Sequence, residues 1–177
     1  GGSIFICLEA IIDDMGGFLR KTSTLLFYFR KEKIKKNKEL IYKLAKVDIL
    51  RHVTEEHIQE LIDLTKKHHF SRGQILFKQG DQGDRVYFIK SGTVQLIQNK
   101  KIIGSATSGT TLGEIALITD QPRNADARAL NNVTAWTLSH HDFSKLRKKS
   151  TELDIAAKKL AVERLKQNKN NDIKEKK

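Results

Sequence analysis

Between Thr111 and Ala125 the chain reads Thr-Leu-Gly-Glu-Ile-Ala-Leu-Ile-Thr-Asp-Gln-Pro-Arg-Asn-Ala. Gly113, followed by the apolar run Ile115 to Ile118, offers backbone N–H groups at the start of a helical turn, where unpaired donors and a positive dipole end attract anions. Arg123 adds a planar fork of donors matched to phosphate oxygens. Glu114 would repel a phosphate, but a carboxylate beside one is suited to accept a hydrogen bond from a ribose 2′-hydroxyl. Phosphate with ribose is a nucleotide. The sequence has neither GxxxxGK[ST] nor GxGxxG, so the cradles used for triphosphates and dinucleotides are missing. The competing reading of Glu114 and Arg123 is an ion pair that only closes a loop.

The flanking patterns say what must hold this segment. From Glu39 to Thr65, apolar Leu40, Ile41 and Leu44, then Ile58, Leu61 and Ile62, recur at helical spacing and predict a helical pair, with Thr54 as N-cap and Glu55 and Glu56 in the first turn of the second helix. Beyond Phe70 the rhythm changes. Seven strand-length pieces follow: Ile75 to Phe77, Val86 to Ile89, Val94 to Ile97, Lys101 to Ile103, Thr110 to Leu112, Ala125 to Leu130 and Val133 to Leu138. Gly-, Asp-, Asn- and Ser-rich turns separate them, which predicts an antiparallel barrel or sandwich. Helix returns at the end, with Ser139 and Asp142, then Thr151 and Asp154, spaced as N-caps with an acid three residues on. Leu153, Ala156, Ala157, Leu160 and Ala161 give the last helix one apolar face, which must pack on something.

The 177 residues suffice for one core with flanks, and the net charge of +12 is unevenly placed. Residues 1 to 29 carry −1, 30 to 46 carry +6, 47 to 144 are neutral and 145 to 177 carry +7. A uniformly basic nucleic-acid-binding globule is thereby excluded. The single cysteine, Cys7, rules out an internal disulfide and a cysteine-rich zinc site. Ile4 to Ile12 is apolar apart from Glu9, about half the ~20 residues a spanning helix needs. Leu25 to Phe29 runs straight into Arg30, Lys31, Lys33, Lys35, Lys36 and Lys38, a pattern shared by juxtamembrane segments and by amphipathic helices docked on a neighbouring domain. Lys166 to Lys177 has only Ile173 as an apolar residue, which predicts a disordered tail. The expected organisation is an upstream helical and basic segment, 1–38, a domain at 39–165 and a basic tail at 166–177.

The segment around Gly113 resembles the phosphate-binding cassette of the cyclic nucleotide-binding domain family, shared by protein kinase A regulatory subunits, cyclic-nucleotide-gated channels and the catabolite activator protein. Gly113 to Leu117 and Pro122 to Ala125 carry the likeness, with the upstream Gly80-Asp81 and Gly83-Asp84 turn and the run Tyr87 to Gly92. The resemblance spans about residues 40 to 165. It implies an α+β fold, an antiparallel β-roll or jelly-roll-like barrel flanked by N-terminal and C-terminal helices. It also implies that Arg123 binds the cyclic phosphate of cAMP or cGMP, that Glu114 takes the ribose 2′-hydroxyl, and that the amides of Ile115, Ala116 and Asn124 complete the cradle beside Gly113. The last helix would be the lid over the base. Asn124 stands where the family often has a small residue or threonine, which leaves the base open. Asp126 is a further acid near the arginine.

Other features receive plainer readings. The adjacent pairs His68 and His69, and His140 and His141, point apart and lack carboxylates or cysteines at ligand spacing, so no metal is expected. Trp136 reads as core. Arg20-Lys21-Thr22-Ser23 has the form of a basophilic kinase site. No nucleophile with an adjacent base is present, so the chain is read as a non-enzyme. The expected role is a regulatory module, cytoplasmic or at the cytoplasmic face of a membrane. Closure of its C-terminal helix on a cyclic nucleotide would drive an effector domain upstream in the same or another chain, with homo-oligomerisation left open. The alternatives are a transcription regulator lacking its DNA-binding part, for which the tail is too short to supply a helix-turn-helix, and a scaffold that binds no nucleotide.

Overall fold

The computed structural model describes residues 37–175, so the apolar and basic patches upstream, Cys7 and the Arg20 to Ser23 motif lie outside the described residues. The chain forms two compact units that divide between Asp63 and Leu64. The first contains α1 (Lys38–Leu44), a short 3-10 helix (Asp48–His52) and α2 (Glu55–Leu64). The stripes expected from sequence are the buried ones, Leu40, Ile41 and Leu44 on α1 and Ile58, Leu61 and Ile62 on α2. The intervening 3-10 turn was not foreseen. It buries Ile49 and Leu50, and Arg51 holds it by pairing with Asp48 at 2.6 Å and donating from Nε to the Ala45 carbonyl at 3.2 Å.

The second unit has eight strands: β1 (Lys66–Phe70), β2 (Ile75–Phe77), β3 (Arg85–Ser91), β4 (Val94–Gln98), β5 (Lys101–Ala106), β6 (Thr111–Leu112), β7 (Asp126–Ala129) and β8 (Val133–Ser139). They form two antiparallel four-stranded sheets, ordered β1-β8-β3-β6 and β2-β7-β4-β5. Tyr87, Ile89, Val133 and Ala135 from one sheet pack with Val94, Ala106, Ala127 and Ala129 from the other, and Phe70, Leu76, Phe77 and Leu96 close the rim. Tyr87 and Ile89 share this core with the small side chains of Ala106, Ala127 and Ala129. β3 is buried on both faces from Val86 to Ile89, which explains its uninterrupted apolar run. Trp136 is core, as read from sequence, 8% exposed.

The strand that sequence patterning missed is β1. Its residues, Lys-Lys-His-His-Phe, do not alternate in polarity, because β1 lies at a sheet edge and is held by backbone pairing to β8 rather than by burial. Its side chains make local cross-strand contacts. His69 Nδ1 lies 3.0 Å from Thr134 Oγ1, and the Lys67 ammonium lies over the Trp136 ring at 5.8 Å. Among the described residues no group of His, Cys, Asp or Glu could hold a metal ion, and no helix is long and apolar enough to cross a membrane.

After β8 come α3 (His140–Lys149) and α4 (Thr151–Glu175). Ser139 caps α3 as expected, its Oγ accepting from Asp142 N at 3.0 Å. The second cap falls one residue early: Ser150, not Thr151, accepts through its Oγ from Leu153 N at 3.2 Å. Ser150→Ala should therefore cost about 1 kcal/mol in urea unfolding, while Thr151→Ala should fall within a few tenths of wild type. The tail is also corrected. Disorder was expected from residue 166, yet α4 runs on to Glu175. Extending a helix already nucleated and packed at Leu153 and Ala157 fixes one residue per hydrogen bond gained, a far smaller entropic cost than starting one.

Candidate functional site

Two loops build the site. The turn at Gly80 to Asp84 and the segment at Gln121 to Arg123 lie side by side: Arg123 N donates to Asp81 O at 2.7 Å, Gly80 N to Arg123 O at 2.8 Å and Gly83 N to Gln121 O at 3.3 Å. This short ladder joins the paired Gly-Asp turn to the cassette. Gly83 is needed for the approach itself, since a Cβ there would stand 2.9 Å from the Gln121 carbonyl oxygen. Asp126, the further acid, accepts from Gln79 N at 2.6 Å.

The cassette's helical turn is a 3-10 helix, Glu114–Leu117, entered through Gly113 at φ +73. At four residues it sums too few peptide dipoles to attract an anion strongly, which shifts that task to Arg123. The Ala116 amide is committed within the turn, donating to Gly113 O at 3.0 Å.

Arg123 is 7% exposed although it carries a full charge. Its guanidinium stacks 4.3 Å from the Phe77 ring centroid and 5.8 Å from that of Tyr87, Nη2 donates to the Arg85 carbonyl, and Nη1 lies against Gly113. Its nearest carboxylate oxygen, Asp84 Oδ1, is 3.9 Å away and is already engaged by Arg85 Nε at 3.2 Å. Nε of Arg123 has no hydrogen-bond partner at all. Burial pushes the guanidinium below its usual pKa, and Arg85 acts in the same direction, whereas Tyr87, Asp84 and Asp81 pull it up. An arginine stays protonated under such a load, so the outcome is an under-compensated buried cation. An anion would relieve it.

Arg123 forms part of the wall of a cavity of about 410 Å³, within the ~300–1,000 Å³ usual for small-molecule sites. Gly113, Ile115, Ala116 and Asn124 line it too, so five of the six residues singled out from sequence are brought together there. Glu114 is the exception. Its side chain is half exposed, and it faces Arg164 with Oε1 3.9 Å from Nη2. Arg164 itself lines the cavity, as does Asn168, whose Nδ2 donates to Gln121 Oε1 at 3.4 Å. These two α4 residues, one turn apart, touch opposite ends of the cassette. Sequence reading passed over Arg164 and placed Asn168 in a disordered tail. The available signal was their spacing, four apart and in phase with Leu153, Ala157 and Leu160 on the apolar face of the helix. Phe77, Leu96 and Ile103 supply the apolar side of the cavity.

Residues 67–150 match the family described as cyclic nucleotide-binding domain. The chain is 25% identical to cGMP-dependent protein kinase 2 of Homo sapiens over 130 residues, which is 71% of this chain and 17% of that one. It is 34% identical to the cAMP-dependent protein kinase regulatory subunit of Candida albicans over 114 residues, 62% of this chain and 25% of the relative. The chain thus spans a quarter or less of these relatives. Among solved structures it is similar to the N-terminal domain of a transcriptional regulator from Streptomyces coelicolor A3(2), with a TM-score of 0.59 and 25% identity, covering 73% of this chain and 94% of that one.

Proposed function

We propose that residues 67–150, which match the cyclic nucleotide-binding domain family, sense cAMP or cGMP, and that the movement of the C-terminal helix is passed on to an effector outside residues 37–175. The observation that carries this reading is Arg123, a buried guanidinium on the cavity wall with one nitrogen unpartnered. A cyclic phosphate supplies the acceptors it lacks, with the Phe77 ring behind the guanidinium fixing its plane. Glu114, at the rim, accepts from the ribose 2′-hydroxyl once Arg164 yields its place. The base lies toward α4, where Arg164 and Asn168 close over it. No step of bond breaking is assigned, and the role is regulatory rather than catalytic. The site works at the cytoplasmic side, since cyclic nucleotides act there as intracellular signals.

Such a switch requires that the nucleotide bind the closed arrangement better than the open one, because equal affinity shifts nothing. The cassette and α4 meet through a half-exposed ion pair at 3.9 Å and a part-buried hydrogen bond at 3.4 Å, each worth about 1 kcal/mol. They can therefore open and re-form readily. Isothermal titration with cAMP and with cGMP tests the reading: saturable binding to one or both supports it, and absence of heat and of thermal stabilisation with either nucleotide sinks it. In the double variant Arg164→Ala, Asn168→Ala the dissociation rate should rise a few-fold to about tenfold by stopped flow, with the association rate nearly unchanged.

A further inference from the structure

The nucleotide-sensing reading leaves open how the cassette communicates with the helices that follow it, and one side chain stands at that junction. His140 is the first residue of α3, so it is the first point beyond the rigid β-roll at which α3 and α4 can pivot. It is held in two directions. Its backbone N–H donates to the Asp84 carbonyl at 2.8 Å, which ties the pivot to the turn beside Arg123. Its ring Nδ1 lies 2.7 Å from the carbonyl oxygen of Ala116, in the middle of the cassette's 3-10 helix. A carbonyl oxygen can only accept, so Nδ1 carries the proton in this contact. Its own carbonyl accepts from Ser144 Oγ at 2.8 Å, within the first turn of α3.

We infer that His140 is the positioning residue through which displacement of the cassette helix is passed to α3 and α4, by way of its Nδ1–H···O=C bond to Ala116. The inference rests on the nucleotide-sensing reading. Ala116 follows Gly113 and Glu114 by three and two residues, so any rearrangement of the cassette around a bound phosphate displaces its carbonyl. A partly buried bond of 2.7 Å follows such a displacement, whereas the apolar contacts around it can slide.

The experiment places spin labels at Thr107 and Lys159, both exposed, in the full chain carrying Cys7→Ser, and measures the distance distribution with and without saturating cyclic nucleotide. Nucleotide should narrow the wild-type distribution. His140→Ala and His140→Gln should still bind nucleotide by calorimetry, with Kd within about tenfold of wild type, as expected for loss of one hydrogen bond. Their distributions should stay at the nucleotide-free shape. His140→Asn, whose side-chain amide can stand where Nδ1 does, should restore the response. A wild-type response in the alanine and glutamine variants overturns the inference, as does an unchanged wild-type distribution on binding. Loss of cooperative unfolding in both variants also overturns it, in favour of a purely structural role. If the wild-type protein binds neither nucleotide, the sensing reading itself has failed, a result calorimetry reports separately from the distances.

Discussion

Replacing Arg123 by alanine should lower affinity for cyclic nucleotide by two to three orders of magnitude, about 3–4 kcal/mol, while leaving the unliganded protein folded. The two effects separate because the guanidinium is poorly compensated before ligand arrives. Nε lacks a partner, and the nearest carboxylate, at 3.9 Å, is bound to Arg85. Removing the side chain forfeits its stacking on Phe77 but also removes the cost of keeping a charge out of water, so the two changes to basal stability oppose each other. With ligand the balance is different. The phosphate loses its fork of donors and remains half desolvated beside Phe77 and Leu112, which accounts for the large penalty. Thermal unfolding reads both quantities together. At a ligand concentration of 100 Kd the wild-type protein gains about 2.7 kcal/mol, a shift of several degrees for a domain of this size, and Arg123→Ala should gain no more than about 0.4 kcal/mol at the same concentration. Arg123→Lys should fall between them, since it keeps the charge and loses the planar fork.

The second large effect is expected at Gly113, and here stability and binding should fail together. Its φ of +73 alone costs any residue with a Cβ about 1–2 kcal/mol. A Cβ at this position would also stand 1.8 Å from Arg123 Nη1, an overlap that forces the guanidinium to move, and 3.4 Å from Arg85 O. Arg123 would have to leave its slot between Gly113 and Phe77. Gly113→Ala should therefore lower the unfolding free energy by at least ~2 kcal/mol and weaken nucleotide binding as severely as Arg123→Ala does. Circular dichroism melts with calorimetry on the same samples check both. A Gly113→Ala protein with near wild-type affinity would mean that the guanidinium acts from a position other than the one it holds against this glycine.

These two residues also show how far the sequence could be read. Gly113 and Arg123 are ten positions apart, and their types alone suggested an anion site; what the structure adds is that they touch, so the glycine is required by the arginine as well as by the turn. The two-sheet roll was legible because β3 carries an unbroken buried apolar run from Val86 to Ile89 and β8 buries Val133, Ala135, Trp136 and Leu138. β1 was not, because an edge strand of Lys and His is specified by its partner's backbone and leaves no periodic mark. The reach of α4 was misread for a related reason. Lys166 to Glu175 cannot order itself, but it continues a helix anchored upstream, and Asn168 finds Gln121 only after the chain has folded back on the cassette. Glu114 and Arg164 are fifty residues apart in sequence, and nothing local to either announces the other.

The length of α4 has a mechanical meaning. Twenty-five residues at 1.5 Å each make a rod of about 37 Å, pinned at Ser150 and touching the cassette at Arg164 and Asn168, some 20–27 Å along it. A rotation of only about 10° at the pinned end carries those contact points through roughly 4 Å and the far end through roughly 6 Å, from the same rise per residue. A movement at the contact points is thus enlarged about one and a half times at the end of the rod, reached by residues 169 to 175, which lie past the last residue lining the cavity.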